Sequence, residues 1–129
     1  MENLQFENLI TEAVAALPQN IREKLNNVSI TMEEGESPNN SLFGLYHGVS
    51  QIKRGSTYGM GATLPDKITI YKGTIEKFAL RQAQGLTAGE DQIASLVRRV
   101  VWHEIGHHFG FDEEGVRRLE EKWAKEGKI

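Results

Sequence analysis

The sequence predicts an α+β fold in which helices pack on one face of a small mixed or antiparallel sheet. Two features support this prediction. Apolar residues recur at helical spacing in the N-terminal and C-terminal parts of the chain, whereas two short segments between them alternate apolar and polar residues as strands do. The length of 129 residues suffices for one hydrophobic core and predicts a single domain spanning residues 1–129.

The first third of the chain predicts two helices and a strand. Apolar residues recur at helical spacing between positions 6 and 17 and stop at Pro18, which cannot continue a helix but suits the first turn of a second one, over residues 18–25. Residues 28–32 alternate with period two and predict a strand. The acidic stretch 33–41 carries glycine, proline and asparagine and predicts a loop.

The middle of the chain is rich in glycine. Glycines at positions 44, 48, 55, 59 and 61 allow tight turns and close backbone approach. Residues 58–64 predict an irregular edge strand, and residues 67–71 predict a regular strand.

Three helices are predicted after the last strand. The first covers residues 73–83, and the last runs from just after Glu113 to about Lys125. The helix between them is predicted to start at a capping box, with Thr87 as N-cap and Glu90 as its third residue. Glu104 falls near the middle of this helix's apolar face, where an acid is costly unless it has a partner. That face comprises Ile93, Leu96, Val97, Val100, Val101 and Ile105.

The same helix contains the motif H-E-x-x-H. His103 and His107 are four residues apart, so their side chains lie on one face, one turn apart, where both imidazoles can bind a single Zn²⁺. Glu104 projects about 100° away from His103 and can reach a water molecule on the metal. These residues predict a catalytic zinc site with Glu104 as the general base.

A third ligand is expected from the acidic turn that follows. Gly110 can adopt the left-handed conformation that ends a helix, so the chain can turn back with Asp112 and Glu113 near the histidines. In the long form of the motif, the last ligand comes ten residues after the first histidine, which is Glu113 here. Asp112 remains the alternative.

Residues 103–114, together with residues 44–48 and 58–71, resemble the bacterial minimal zincin-like family of short zinc metallopeptidases. The resemblance covers roughly residues 42–119. It implies a small zincin-like fold, in which the metal-binding helix lies beneath the sheet and an edge strand follows the cleft. Residues 58–62 are the candidate for that edge strand, and an extended peptide could pair with it by backbone hydrogen bonds. The family usually has aspartate at the third-ligand position, where this chain has Glu113.

The expected function is hydrolysis of peptide bonds, with a peptide or a small flexible protein as substrate. Larger relatives carry a methionine turn after the motif, whereas Met1, Met32 and Met60 all precede it here, so a partner that completes the cleft is also considered. One alternative is a zinc-binding interaction protein with little or no proteolytic activity. A weaker one is a zinc hydrolase of non-peptide amides.

Composition excludes several other classes. The net charge of −3 and the lack of a dominant basic cluster argue against nucleic-acid or anionic-membrane partners. Without cysteine, the chain has no disulfides and no thiolate ligands for zinc. No signal peptide and no apolar run of membrane-spanning length is recognisable, which predicts a cytoplasmic protein.

The remaining histidines and the tyrosines are expected to have structural roles. His108 lies about 100° around the helix from His107 and is expected to pack beside the site or to support it from outside the ligand set. His47 is expected in a surface loop. Tyr46, Tyr58 and Tyr71 are expected in the core or at its rim rather than as oxyanion donors.

Overall fold

The computed structural model describes residues 1–39, 41–48, 66–84 and 89–129. Within these ranges, five helices accompany a three-stranded mixed sheet, which confirms the α+β prediction. The elements in chain order are α1 (Asn3–Ala15), α2 (Gln19–Arg22), β1 (Val28–Glu33), β2 (Gly44–His47), β3 (Asp66–Tyr71), α3 (Lys72–Gln82), α4 (Glu90–His108) and α5 (Glu113–Lys125). None of the helices in these ranges has the length and apolar character needed to cross a membrane.

Strand β3 lies at the centre of the sheet, in the order β1–β3–β2. It pairs parallel with β1 and antiparallel with β2, and its residues Ile68 and Ile70 are fully buried. Among the described strands β2 therefore forms one edge. The expected edge segment, residues 58–62, lies outside the described residues.

Strand β2 was not predicted, because its four residues lie in the glycine-rich stretch. The structure shows why the sequence pattern is weak there. A Cβ on Gly44 would lie 3.0 Å from Val100 Cγ1 and 3.2 Å from Glu104 Cγ, so the strand packs closely on helix α4. Residues 44–47 thus form a strand through tertiary contact and pairing with β3 rather than through local propensity.

Helix α4 is the central helix of the core. Five of the six residues of its predicted apolar face are buried, and Leu96 is half-buried. Trp102 anchors the helix to its neighbours, since its Nε1 donates to Ala13 O in α1 at 2.8 Å and its ring meets Trp123 of α5 edge to face. The H-E-x-x-H motif therefore lies on a buried helix that contacts both α1 and α5.

The start of α4 differs from the predicted capping box at Thr87. The helix begins at Glu90 with Gly89 as N-cap, and the Gln92 side chain accepts from the Gly89 N–H at 3.2 Å. Gln92 thus takes the position that was predicted for Glu90, two residues later in the chain. Thr87 itself lies outside the described residues.

A tight turn brings α5 back against α4. Gly110 has φ 102°, the left-handed conformation predicted for it, and Asp112 caps α5 by accepting from the Gly115 N–H at 2.8 Å. Gly106 allows the two helices to approach closely, because a Cβ there would lie 2.9 Å from Val116 Cγ2. The first two turns of α5 therefore lie beside the histidines of α4.

Candidate metal centre

His103 and His107 lie one turn apart on α4, with ring centroids separated by 5.0 Å. The Nδ1 atom of His103 is 2.5 Å from Glu120 Oε1, and that of His107 is 2.8 Å from Phe111 O. Carboxylate and carbonyl oxygens only accept hydrogen bonds, so both contacts favour a proton on Nδ1 of each ring. A neutral ring in this tautomer would offer the lone pair of its Nε2 to a metal ion.

The carboxylate of Glu113 meets these two nitrogens. Its Oε1 is 2.8 Å from His107 Nε2, and its Oε2 is 3.5 Å from His103 Nε2. One ligand atom from each of His103, His107 and Glu113 can be chosen so that all three lie within 4.8 Å of one another. Tetrahedral ligands at about 2.0–2.2 Å from a zinc ion lie about 3.3 Å apart. The two contacts of Glu113 are close to this spacing, so the three residues could hold a zinc ion.

Asp112, the alternative third ligand, serves as the N-cap of helix α5. Its Oδ1 accepts the hydrogen bond that caps α5, and it does not belong to the group of three. Glu113 follows it at the first position of the helix, with a side chain that is 79% exposed. The turn thus aims the second acidic residue at the histidines while the first fixes the helix start.

Glu104 is buried beside this group, with 8% of its surface exposed. Its Oε2 is 4.0 Å from His103 Nε2, so it is close to the three residues without being one of them. Burial raises the pKa of Glu104, opposed by the nearby rings of His103 and His107 and by a hydrogen bond from the Tyr46 backbone. The net direction is upward, which suits a carboxylate that takes up and releases a proton.

The carboxylates around His103 also affect its protonation. Burial lowers the pKa of His103, but the hydrogen bond to Glu120 and the negative charges of Glu104, Glu120 and Glu113 outweigh this effect and raise it. Three acids around one imidazole thus favour positive charge at this position, whether a proton or a metal ion supplies it.

Glu120 was missed by the sequence analysis, although a signal was available. It lies four residues after Val116 and three before Trp123, the two residues that α5 buries, so it belongs to the inner side of that helix. An acid in such a position has the same unusual placement as Glu104 in α4. A carboxylate that holds the second nitrogen of a ligating histidine is a recurrent feature of zinc sites.

The other candidates lie away from the three residues. His108 is fully buried, with Nδ1 2.8 Å from Asp66 Oδ2. His47 is exposed at the end of β2. The Tyr46 hydroxyl donates to Asp66 at 2.6 Å. Tyr58 lies outside the described residues.

The candidate centre opens into a cleft of about 1220 Å³ between β2, α4 and the turn before α5. His103, His107, Glu104 and Glu113 all line it. Much of the remaining wall is apolar, with contributions from Leu42, Phe43, Leu45, Leu96, Val100 and Phe111. A cleft with apolar walls and a small group of convergent polar residues is typical of an active site.

Comparison with known proteins agrees with this geometry. A family model described as zincin-like metallopeptidase matches residues 20–123, which include the sheet, both helices of the candidate centre and the turn between them. A search of curated proteins found no match. The family implies a metal, typically zinc, and the match covers most of the chain. The protein therefore belongs to the zincin-like metallopeptidase family.

Proposed function

We propose that this protein is a zinc-dependent metallopeptidase. The observation that supports the proposal most strongly is the convergence of His103, His107 and Glu113 next to the buried carboxylate of Glu104. In this proposal the first three residues hold Zn²⁺ through two Nε2 atoms and a carboxylate. Such a ligand set leaves one tetrahedral position open, as in catalytic rather than structural zinc sites.

The proposed role of each residue follows from its environment. Zinc, when bound, supplies a Lewis acid that polarises a carbonyl group and makes hydroxide accessible near neutral pH. Glu104 accepts the proton of the attacking water and delivers it to the leaving amine. Glu120 and the Phe111 carbonyl keep the histidine rings in the tautomer that presents Nε2.

The cleft supports a peptide as the substrate. Its apolar wall can accommodate aliphatic or aromatic side chains next to the scissile bond. Pairing of the peptide with residues 58–62 stays a prediction, as does a partner protein that completes the cleft. A peptide or a small flexible protein fits such an open site better than a folded domain does.

The alternative function is that of a zinc-binding interaction protein with little or no proteolytic activity. The exposure of the Glu113 side chain favours it, because a ligand held from a solvent-exposed turn constrains the metal less than one held in the core does. Both proposals share the metal site, so the difference between them lies in catalysis by Glu104.

Replacing Glu104 by glutamine tests the catalytic proposal. The amide keeps the shape of the side chain but cannot accept the proton, so we expect hydrolysis to fall by about 10²–10⁴-fold with zinc content unchanged. Cleavage of an unbiased peptide library, read by mass spectrometry, measures this. Equal cleavage by wild type and Glu104→Gln would contradict the mechanism, and no cleavage by wild type would favour the interaction protein.

A second prediction separates the two acids of the turn. Glu113→Ala should weaken zinc binding more than Asp112→Ala does, because Glu113 faces both Nε2 atoms. Asp112→Ala should instead cost about 0.5–2 kcal/mol of stability through loss of the helix cap. Zinc titration and urea unfolding of both variants measure the two effects. The reverse order of zinc affinities would transfer the ligand assignment to Asp112.

A third prediction concerns Glu120. Glu120→Ala should weaken zinc binding by about 10–100-fold, because the His103 ring loses the acceptor that orients it. Glu121→Ala is the matched control, since this neighbouring glutamate is exposed. Competition with a chelator of known affinity measures both variants. Identical affinities for the two would show that the contact between Glu120 and His103 does not support the metal.

A further inference from the structure

A buried carboxylate joins the sheet to the end of the helix that carries the two histidines. Asp66, the first residue of β3, is 2% exposed. Its Oδ2 accepts from the Tyr46 hydroxyl at 2.6 Å and lies 2.8 Å from Nδ1 of the fully buried His108. The rings of Tyr46 and His108 also meet edge to face, with centroids 6.1 Å apart. Because a buried carboxylate is costly without hydrogen bonds, these contacts favour one fixed arrangement.

In strand β2, the backbone N–H groups of alternate residues point toward the outer edge of the strand. Tyr71 N–H donates to Phe43 O at 2.9 Å, and Tyr46 is opposite Ile68 in the same antiparallel register. Hydrogen-bonded and non-hydrogen-bonded pairs alternate in such a ladder, so the Leu45 amide is bonded to β3 and the Tyr46 amide points away from it. At Gly44 the same strand packs on Glu104, because a Cβ there would lie 3.2 Å from Glu104 Cγ.

We propose that Tyr46, Asp66 and His108 are positioning residues for Glu104. His108 directly follows the candidate ligand His107, so its bond to Asp66 fixes the end of α4 to β3. Tyr46 bonds the same oxygen through its hydroxyl, and β2 is thereby held where it packs against Glu104. The inference rests on the proposed function, in which Glu104 is the general base.

If Tyr46, Asp66 and His108 contributed only to the stability of the fold, the consequences of replacing them would differ. Other buried hydrogen bonds, such as that from Ser37 N–H to Thr74 Oγ1 at 2.9 Å, stabilise the fold without contacting the cleft. Release of β2 would instead let the Glu104 carboxylate move relative to the metal ligands. Proton transfer would slow, whereas binding of zinc and of substrate would change little.

The test uses Tyr46→Phe, which removes the hydroxyl and keeps the ring and the backbone amide. In protein with one equivalent of Zn²⁺, we expect kcat to fall about tenfold with KM and zinc content unchanged, as for loss of one hydrogen bond. We also expect hydrogen exchange at the amide of residue 45, which is paired with Thr69 of β3, to become about tenfold faster, as measured by NMR. Asp66→Asn, which weakens both hydrogen bonds, should shift kcat and exchange in the same direction.

Thr74→Val is the matched control. It removes a buried hydrogen bond away from the cleft, so it should lower the melting temperature and leave both kcat and the exchange at residue 45 unchanged. Equal exchange in wild type and Tyr46→Phe would overturn the inference, as would faster exchange with unchanged kcat. If wild type hydrolyses no peptide, the proposed function fails and exchange alone decides: acceleration in Tyr46→Phe but not in Thr74→Val would support positioning.

Discussion

The structure around the cleft depends on balancing the charge of three carboxylates packed around two imidazoles. Glu104, Glu113 and Glu120 all lie within 4.0 Å of His103, and Glu104 is buried as well. With ionised carboxylates and neutral histidines the group carries a formal charge of about −3, which is unfavourable because Glu104 is buried. A divalent cation between the two Nε2 atoms and Glu113 would offset most of that charge. The same carboxylates that orient the histidines therefore create the demand for a metal ion.

The scaffold that holds these residues is largely apolar, and we expect it to fold without the ion. Helix α4 is held by its buried apolar face and by the Trp102 contacts to α1 and α5. The return of α5 is fixed by Gly110, by the Asp112 cap and by the close approach at Gly106. We therefore expect the two histidines and Glu120 to keep their positions without metal, in contrast to small zinc domains that fold only with their ion.

Local sequence patterns predicted the parts of the site that lie close together in the sequence. The spacing of His103, Glu104 and His107 on an apolar-faced helix, and the glycine-ended turn that leads to Glu113, need only helical geometry. Glu120 depends on how α5 packs against α4. Its position on the inner side of α5 gave a signal, but the partner, seventeen residues away, was not specified by any local pattern.

The contacts that join the sheet to helix α4 could not be predicted from local sequence patterns. Tyr46 and Asp66 are separated by 20 residues, and Asp66 and His108 by 42, so only strand pairing and helix packing bring them together. Strand β2 was missed for the same reason. The close contact with α4 leaves no room for a side chain at Gly44, and glycine has a low strand propensity. The start of α4 was misplaced by two residues because Thr87–Glu90 and Gly89–Gln92 both have the spacing of a capping box.

The most direct test of the account is the zinc content and coordination of protein purified without chelator. Elemental analysis should give about one zinc per chain, and X-ray absorption should show two imidazole nitrogens and a carboxylate oxygen at about 2.0–2.2 Å. The double variant His103→Ala/His107→Ala should contain no zinc above background. Full zinc occupancy in that variant would contradict the assignment of the metal centre to this pair of histidines, and so would a wild-type protein that takes up no zinc.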